Sequence, residues 1–121
     1  MDFELNHFEP HEFACACCGQ HPMDFDFAMK LDHARHLAGV PFKITSGYRC
    51  EKHNAFVGGK PGSSHTKGCA VDIEAADSHT RFRVMLGLIQ AGFNRMGIDS
   101  DRGFIHVDSD PDKPKNVTWG Y

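Results

Sequence analysis

The chain has 121 residues, a formal net charge of -3 and a pI near 6.3. Its length suits a single domain, residues 1–121, and its 40% apolar and 24% charged fractions are those of a globular protein. The mildly acidic balance disfavours a nucleic-acid binder, which normally carries a basic face, and no apolar stretch approaches the roughly 20 residues of a membrane span.

An irregular arm, residues 1–22, precedes the first predicted element. Three aromatic side chains are spaced to pin this arm to the core: Phe3, Phe8 and Phe13. A helix is predicted over residues 24–38, where apolar side chains recur at helical spacing and Gly39 and Pro41 end the pattern. The side chains of that apolar stripe are Phe27, Leu31, Ala34 and Ala38.

The middle of the chain alternates short elements with a loop. Residues 42–46 alternate apolar and polar side chains, which predicts a half-buried strand running into Gly47. A short helix is expected over residues 51–57, and the Gly- and Pro-rich residues 58–64 predict a loop. Residues 70–74 predict a second strand.

A second long helix is predicted from apolar residues at i, i+3, i+4 and i+7, namely Phe82, Met85, Leu86 and Ile89. Ser78 is its expected N-cap and Gly92 its stop. Two further strands are expected near residues 95–99 and 104–108. A turn at residues 111–115 then leads to a tail that carries Val117, Trp119 and Tyr121.

Alternation along the strands at residues 70–74 and 104–108 presents polar side chains on the face opposite the core. Asp72 comes from the first strand, and His106 and Asp108, about 7 Å apart, come from the second. The side chains between them are expected in the core: Val71, Ile73, Ile105 and Val107.

His65 ends the Gly-rich loop seven positions before Asp72, so the returning chain can bring the two side chains together. With His106 they form a two-histidine, one-carboxylate set, which suits Zn²⁺ with a fourth position for water. Taken singly, any one of the nine histidines is more often solvated or a capping residue. Arg49, placed just after a strand, is a further site residue, although such an arginine alone is most often a surface residue.

These residues lie in motifs that together resemble the zinc D-alanyl-D-alanine carboxypeptidase family. The resemblance is closest to its small branch in phages, prophages and bacterial murein hydrolases, and it covers nearly the whole chain. The motifs are Phe8-Glu9-Pro10-His11-Glu12-Phe13-Ala14-Cys15, Ser46-Gly47-Tyr48-Arg49-Cys50, Glu51-Lys52-His53-Asn54, Val57-Gly58-Gly59, Ser64-His65-Thr66-Lys67-Gly68-Cys69-Ala70-Val71-Asp72-Ile73 and Phe104-Ile105-His106-Val107-Asp108.

The resemblance implies zinc ligands at His65, Asp72 and His106. It also implies a substrate-orienting role for Arg49, and we assign Ser46 and Ser63, which stand beside these motif residues, to substrate binding. The implied fold is a small α+β architecture shared with the hedgehog signalling domain, in which an antiparallel sheet carries helices on one side and zinc on the other. Trp119 resembles the family's last aromatic residue and is expected to close the fold.

The general base is the one departure from the family pattern. Several branches carry Glu or Asp three residues before the last zinc-binding histidine, and here that position is Gly103. Asp108 is the first choice for the role, followed by Asp99 and Asp101. Alternatively, Asp108 only hydrogen-bonds the ring of His65 or His106, as carboxylates behind metal ligands often do.

The resemblance implies a zinc peptidase that cleaves bacterial peptidoglycan peptides, as a carboxypeptidase or an endopeptidase, and we expect it to be a monomer. The acidic start, residues 1–5, differs from a signal peptide, so we expect cytoplasmic synthesis and a phage or prophage lysis enzyme released through a holin. The alternatives are a zinc-containing wall-binding module without activity and a virion component.

Five cysteines cannot all pair within one chain. Three are clustered and two stand apart: Cys15, Cys17 and Cys18, then Cys50 and Cys69. Reduced thiols are expected first, because cytosolic proteins rarely keep disulfides. The alternatives are a structural zinc on the cluster with His11 or His21, and a disulfide between Cys50 and Cys69.

Overall fold

The structure is a computed structural model that describes residues 4–121, so Phe3 and the start of the predicted arm and domain lie outside the described residues. The helices are α1 (Phe25–Ala38), α2 (Glu51–Phe56) and α3 (Ser78–Gln90). The strands are β1 (Ile44–Ser46), β2 (Ala70–Glu74), β3 (Arg95–Asp99), β4 (Phe104–Asp108) and β5 (Val117–Gly120). Short 3-10 helices span Pro10–Phe13 and Ser64–Lys67. The predicted α+β class is confirmed.

The strands form one five-stranded sheet in the order β1-β2-β4-β3-β5. The β1–β2, β2–β4 and β4–β3 pairs are antiparallel, as expected, but β5 pairs parallel with β3. The sheet is therefore mixed, because the chain after β4 steps over β3 and pairs on its far side. Among residues 4–121, none of the helices has the length and apolar character that a membrane span requires.

Helices α1 and α3 pack against each other and join β2 and β4 in the core. The predicted stripe of α1 is fully buried, and Asp24 caps the helix by accepting a hydrogen bond from the backbone N–H of Phe27. Helix α3 is present, but its N-cap is Asp77, and Phe82 and Ile89 are 60% and 56% exposed. Its buried face consists of Val84, Gly87 and Leu88.

The buried face of α3 is set by the close approach of the two helices. A Cβ built on Gly87 would lie 2.6 Å from the Cβ of Ala38 on α1. Only a residue without a side chain fits at this crossing, so α3 turns Gly87 toward α1. The side chains of Phe82 and Ile89 therefore face solvent, although their spacing is that of a buried stripe.

The N-terminal arm is pinned next to the end of β1. Phe8 and Phe13 are buried, with ring centroids 5.1 Å apart. The N–H of Tyr48 donates to the Phe13 carbonyl at 2.9 Å. A Cβ on Gly47 would lie 2.7 Å from that same carbonyl oxygen, so this strand end meets the arm at backbone contact distance.

Candidate metal centre

The register of β2 and β4 places Asp72 directly opposite His106. The four apolar side chains that alternate with them are all 0% exposed: Val71, Ile73, Ile105 and Val107. The prediction from strand alternation is confirmed, since one face of the strand pair enters the core and the other carries the polar pair.

His65 joins this pair from the 3-10 helix Ser64–Lys67, which Ser63 caps by accepting a hydrogen bond from the His65 N–H. His65 Nε2 lies 3.4 Å from Asp72 Oδ1, and His106 Nδ1 lies 3.0 Å from that same oxygen. One ligand atom from each of the three residues lies within 4.8 Å of the others. The structure thus brings together the three residues predicted as ligands.

The second nitrogen of each ring is fixed by a group outside this triad. His65 Nδ1 lies 2.9 Å from the carbonyl oxygen of Gly47, and His106 Nε2 lies 2.7 Å from Asp108 Oδ2. When His65 Nδ1 and His106 Nε2 each carry a proton to donate there, the nitrogens that face Asp72 are free to bind a cation. Outer hydrogen bonds of this kind are typical of metal-binding histidines.

The electrostatics favour a charged carboxylate at the centre. Burial opposes ionisation of Asp72, but the neighbouring rings of His106 and His65 outweigh it and hold the pKa of Asp72 well below its usual range. Burial likewise opposes a charge on His106, yet Asp108 and Asp72 raise the pKa of its ring. Two imidazoles and an ionised carboxylate are a donor set that zinc prefers, and they leave a coordination position open. The residues present fit a zinc ion.

Arg49 lies beside this centre, with Nη2 3.7 Å from Asp72 Oδ2. Its Nε donates to Ser46 Oγ at 3.1 Å and its Nη1 to Asn54 Oδ1 at 3.2 Å. The Arg49 N–H also donates to the carbonyl of His65 at 3.2 Å. The guanidinium is therefore held in one orientation at the edge of the metal centre.

A cleft of about 510 Å³ opens over the centre. It is lined by Arg49, Val57, Gly58, Gly59, Lys60, Ser63, His65, Asp72, Arg102, Phe104, His106, Lys113 and Tyr121. Ser63 thus borders the cleft, as its predicted substrate-binding role requires. Ser46 is not among the lining residues and instead accepts a hydrogen bond from Arg49, so its contact is with the arginine.

Asp108 is enclosed behind His106. It is 1% exposed; Oδ2 faces His106 Nε2, while Oδ1 accepts from Arg95 Nε at 2.7 Å and from the Asp110 N–H at 3.1 Å. Burial raises its pKa, but hydrogen bonds from His106 and Arg95 outweigh this and lower it. This geometry favours the alternative role of positioning the His106 ring over the predicted role in proton transfer.

The other predicted carboxylates also stand apart from the cleft. Asp99 is buried and accepts from the Arg102 N–H at 2.8 Å, which closes the turn before β4, and Asp101 is exposed in that turn. Gly103, at the family's usual base position, has φ +74°. Among the described residues that line the cleft, Asp72 is the one carboxylate.

Several residues that support the site were missed from the sequence. Asn54 is 2% exposed and links Arg49 to the loop after α2, because its Nδ2 donates to the Lys60 carbonyl at 2.9 Å. Arg95 is 8% exposed and pairs with Asp108. Asn54 belongs to one of the motifs shared with the family, and this membership could have identified it as a site residue. Arg95 begins a predicted strand and lies in none of those motifs, so nothing in the sequence indicated its role.

Comparison with known proteins is consistent with this geometry. No curated protein matches the chain. The sequence model described as Peptidase M15 matches residues 6–108, a span that includes most of the arm, α1, α3 and every residue of the His65, Asp72 and His106 triad. The chain therefore belongs to the peptidase M15 family of zinc peptidases.

Proposed function

We propose that this chain is a zinc-dependent peptidase that hydrolyses peptide bonds of bacterial peptidoglycan, as a D,D-carboxypeptidase or as an endopeptidase of the stem or cross-link. The observation that carries the proposal is the arrangement of His65, Asp72 and His106 beside an oriented Arg49 in one cleft. A zinc ion held there supplies a Lewis acid for the scissile carbonyl and lowers the pKa of a water molecule.

The protein's own groups then have defined tasks. Arg49, fixed by Ser46 and Asn54, presents N–H donors to a substrate carboxylate or to the oxyanion that forms at the scissile carbonyl. Asp108 holds the His106 ring so that Nδ1 faces the centre. Because these donors are held in place before substrate arrives, little reorganisation is needed during the reaction.

The charge of the cleft supports a peptide with free carboxylates as substrate. Besides Arg49, the basic side chains Lys60, Arg102 and Lys113 line it, against the single carboxylate Asp72 among the described lining residues. Wall stem peptides carry a terminal carboxylate and amide bonds in the same short segment. A cationic rim attracts such anions into the cleft.

The test is mass spectrometry of muropeptides after purified peptidoglycan is treated with zinc-loaded protein, with chelated protein and with His106→Ala. New termini that appear only with the zinc-loaded wild type support the proposal and identify the bond. Unchanged muropeptides across walls of several chemotypes would overturn it.

A second candidate is a zinc-containing wall-binding or virion module without hydrolytic activity. The observation that favours it is the placement of Gly103 where several branches of the family carry the base, together with the enclosure of Asp108. Sedimentation with insoluble peptidoglycan, without new termini, would support this candidate.

For the biological setting, we propose wall lysis by a phage or prophage, with release through a holin. The support is the likeness of the stretch from Phe8 to Cys15 to the small phage branch of the family. Expression with and without a holin, followed by the turbidity of the culture, tests this setting.

A further inference from the structure

Three cysteines from two distant parts of the chain meet next to Arg49, at the end of β1. Cys15, Cys18 and Cys50 place their Sγ atoms within 4.8 Å of one another, and Cys15 Sγ lies 3.7 Å from Cys50 Sγ. Among residues 4–121, neither His11 nor His21 belongs to this cluster. The predicted histidine partner is therefore wrong, and Cys50 is the third member.

The backbone around Cys15 forms a tight turn that brings Cys15 and Cys18 together. Cys15 and Cys18 have the two-residue spacing common in structural zinc sites. The turn between them is closed by hydrogen bonds from the Gly19 N–H to the Cys15 carbonyl at 2.9 Å and from the Cys15 N–H to the Gln20 carbonyl at 2.8 Å. Gly19 adopts φ +74°, which a residue with a side chain would reach only with strain.

Backbone donors point at the sulfurs. The Cys50 N–H lies 3.5 Å from Cys15 Sγ, and the His53 N–H lies 3.4 Å from Cys50 Sγ, where the thiol also caps α2. Donors of this kind stabilise the thiolate, which is the form that binds metal.

We propose that Cys15, Cys18 and Cys50 form a second, structural zinc site, separate from the cleft. Cys17, which is exposed and precedes Cys18 in the chain, or a water molecule would complete the tetrahedron. Three mutually close thiols fit a shared cation better than a disulfide, which would use two sulfurs and leave the third unpaired.

The site would join the N-terminal arm to the segment that carries Arg49. Cys15 follows the 3-10 helix Pro10–Phe13, and Cys50 follows Arg49 directly. Within its described residues, 4–22, the arm has no other regular element, so a metal bound there would fix it against the strand end that orients Arg49 and, through Gly47, His65. This inference does not rest on the proposed hydrolysis.

The test is metal analysis of freshly purified protein under reducing conditions. Wild type is expected to hold two zinc ions per chain, and His106→Ala and Cys18→Ser one each. Cys69→Ser, which removes a buried thiol outside the cluster, serves as the matched control and keeps two.

Cobalt substitution gives a second readout that does not depend on the folding of a cysteine variant. Cobalt-loaded wild type and His106→Ala should both show thiolate-to-cobalt charge-transfer absorption in the near ultraviolet. A single metal per wild-type chain that His106→Ala abolishes, or a Cys15–Cys50 disulfide found by peptide mapping of the purified protein, would overturn the proposal.

Discussion

His106 Nε2 lies 2.7 Å from Asp108 Oδ2, and Asp108 is enclosed so fully that only 1% of it is exposed. Its other carboxylate oxygen accepts a hydrogen bond from Arg95 Nε at 2.7 Å. With both oxygens engaged, Asp108 reaches the cleft only through the ring that it orients. We therefore predict that the carboxylate acts on zinc binding rather than on the substrate.

The variant Asp108→Asn should therefore lower zinc affinity roughly 10- to 100-fold, the usual cost of losing a hydrogen-bond partner of a metal-binding histidine. Activity should recover when excess zinc refills the centre. Competition with a chromophoric chelator measures the affinity, and activity is followed across a zinc titration.

Asp101→Asn is the control for this prediction, because Asp101 is an exposed carboxylate of the turn before β4. It should leave zinc affinity unchanged. If Asp108→Asn kept full zinc affinity and yet lost activity at every zinc concentration, Asp108 would be the proton-transfer group after all.

Arg49→Lys should lower kcat/KM on a wall peptide by roughly 100- to 1,000-fold while zinc content stays at the wild-type level. A lysine keeps the charge but cannot contact Ser46, Asn54 and the substrate at once, and loss of one oriented oxyanion donor has effects of this size. Steady-state kinetics with metal analysis measure both quantities.

Arg102→Lys makes the same substitution elsewhere in the cleft, at a side chain that is 80% exposed. Its kcat/KM should change little. Near wild-type kinetics for Arg49→Lys would mean that Arg49 contributes charge alone and that its hydrogen bonds to Ser46 and Asn54 have no part in catalysis.

Local patterns, together with the motifs shared with the family, were sufficient to predict the centre, because strand alternation is a local property. Asp72 and His106 each point away from the core because their strand neighbours enter it, namely Val71 and Ile73 for Asp72 and Ile105 and Val107 for His106. His65 and Asp72 are only seven positions apart, and this short spacing likewise limited how far apart their side chains could lie. These features depend on a few consecutive residues.

Features that depend on distant contacts were not predictable in this way. The exposed face of α3 follows from the close crossing at Gly87 and Ala38, which periodicity alone does not reveal. The parallel pairing of β5 and the meeting of Cys15 with Cys50, 35 positions away, arise only when the whole chain has packed.

Asp110→Asn should destabilise the protein at neutral pH by about 2 kcal/mol, since the carboxylate accepts charge-assisted hydrogen bonds. The side chain is fully buried and accepts from Ser64 Oγ at 2.7 Å and from Lys67 Nζ at 2.9 Å. Urea unfolding of the metal-free protein measures the difference.

This difference should depend on pH. Burial raises the pKa of Asp110, but hydrogen bonds from Ser64, the Asp112 N–H and Lys67 outweigh it and lower the pKa from 3.8 to about 2. A depressed folded-state pKa adds stability that is fully present above the unfolded value of 3.8 and is lost as pH falls through about 2. The two proteins should converge near that pH.

Asp112→Asn is the control for Asp110, because Asp112 also meets Lys67, at 3.2 Å, but its side chain is 77% exposed. An exposed pair of this kind contributes about 0 to 1 kcal/mol. A constant gap between wild type and Asp110→Asn from neutral pH down to about pH 2 would show that packing, and not the charge, carries the effect.

Gly47→Ala should weaken zinc binding as well as stability, although Gly47 is not a ligand. An added Cβ would lie 2.7 Å from the Phe13 carbonyl oxygen, so the arm or the strand end must shift, at a cost of about 1–3 kcal/mol. The Gly47 carbonyl lies 2.9 Å from His65 Nδ1, and its movement would turn the imidazole away from Asp72. Thermal unfolding measures the loss of stability, and zinc competition measures the loss of affinity.

Gly120→Ala is the control, because the nearest atom to the new Cβ is 4.0 Å away, and it should change neither stability nor zinc affinity. If Gly47→Ala lost stability but retained zinc affinity, the orientation of His65 would depend on the 3-10 helix alone and not on this carbonyl.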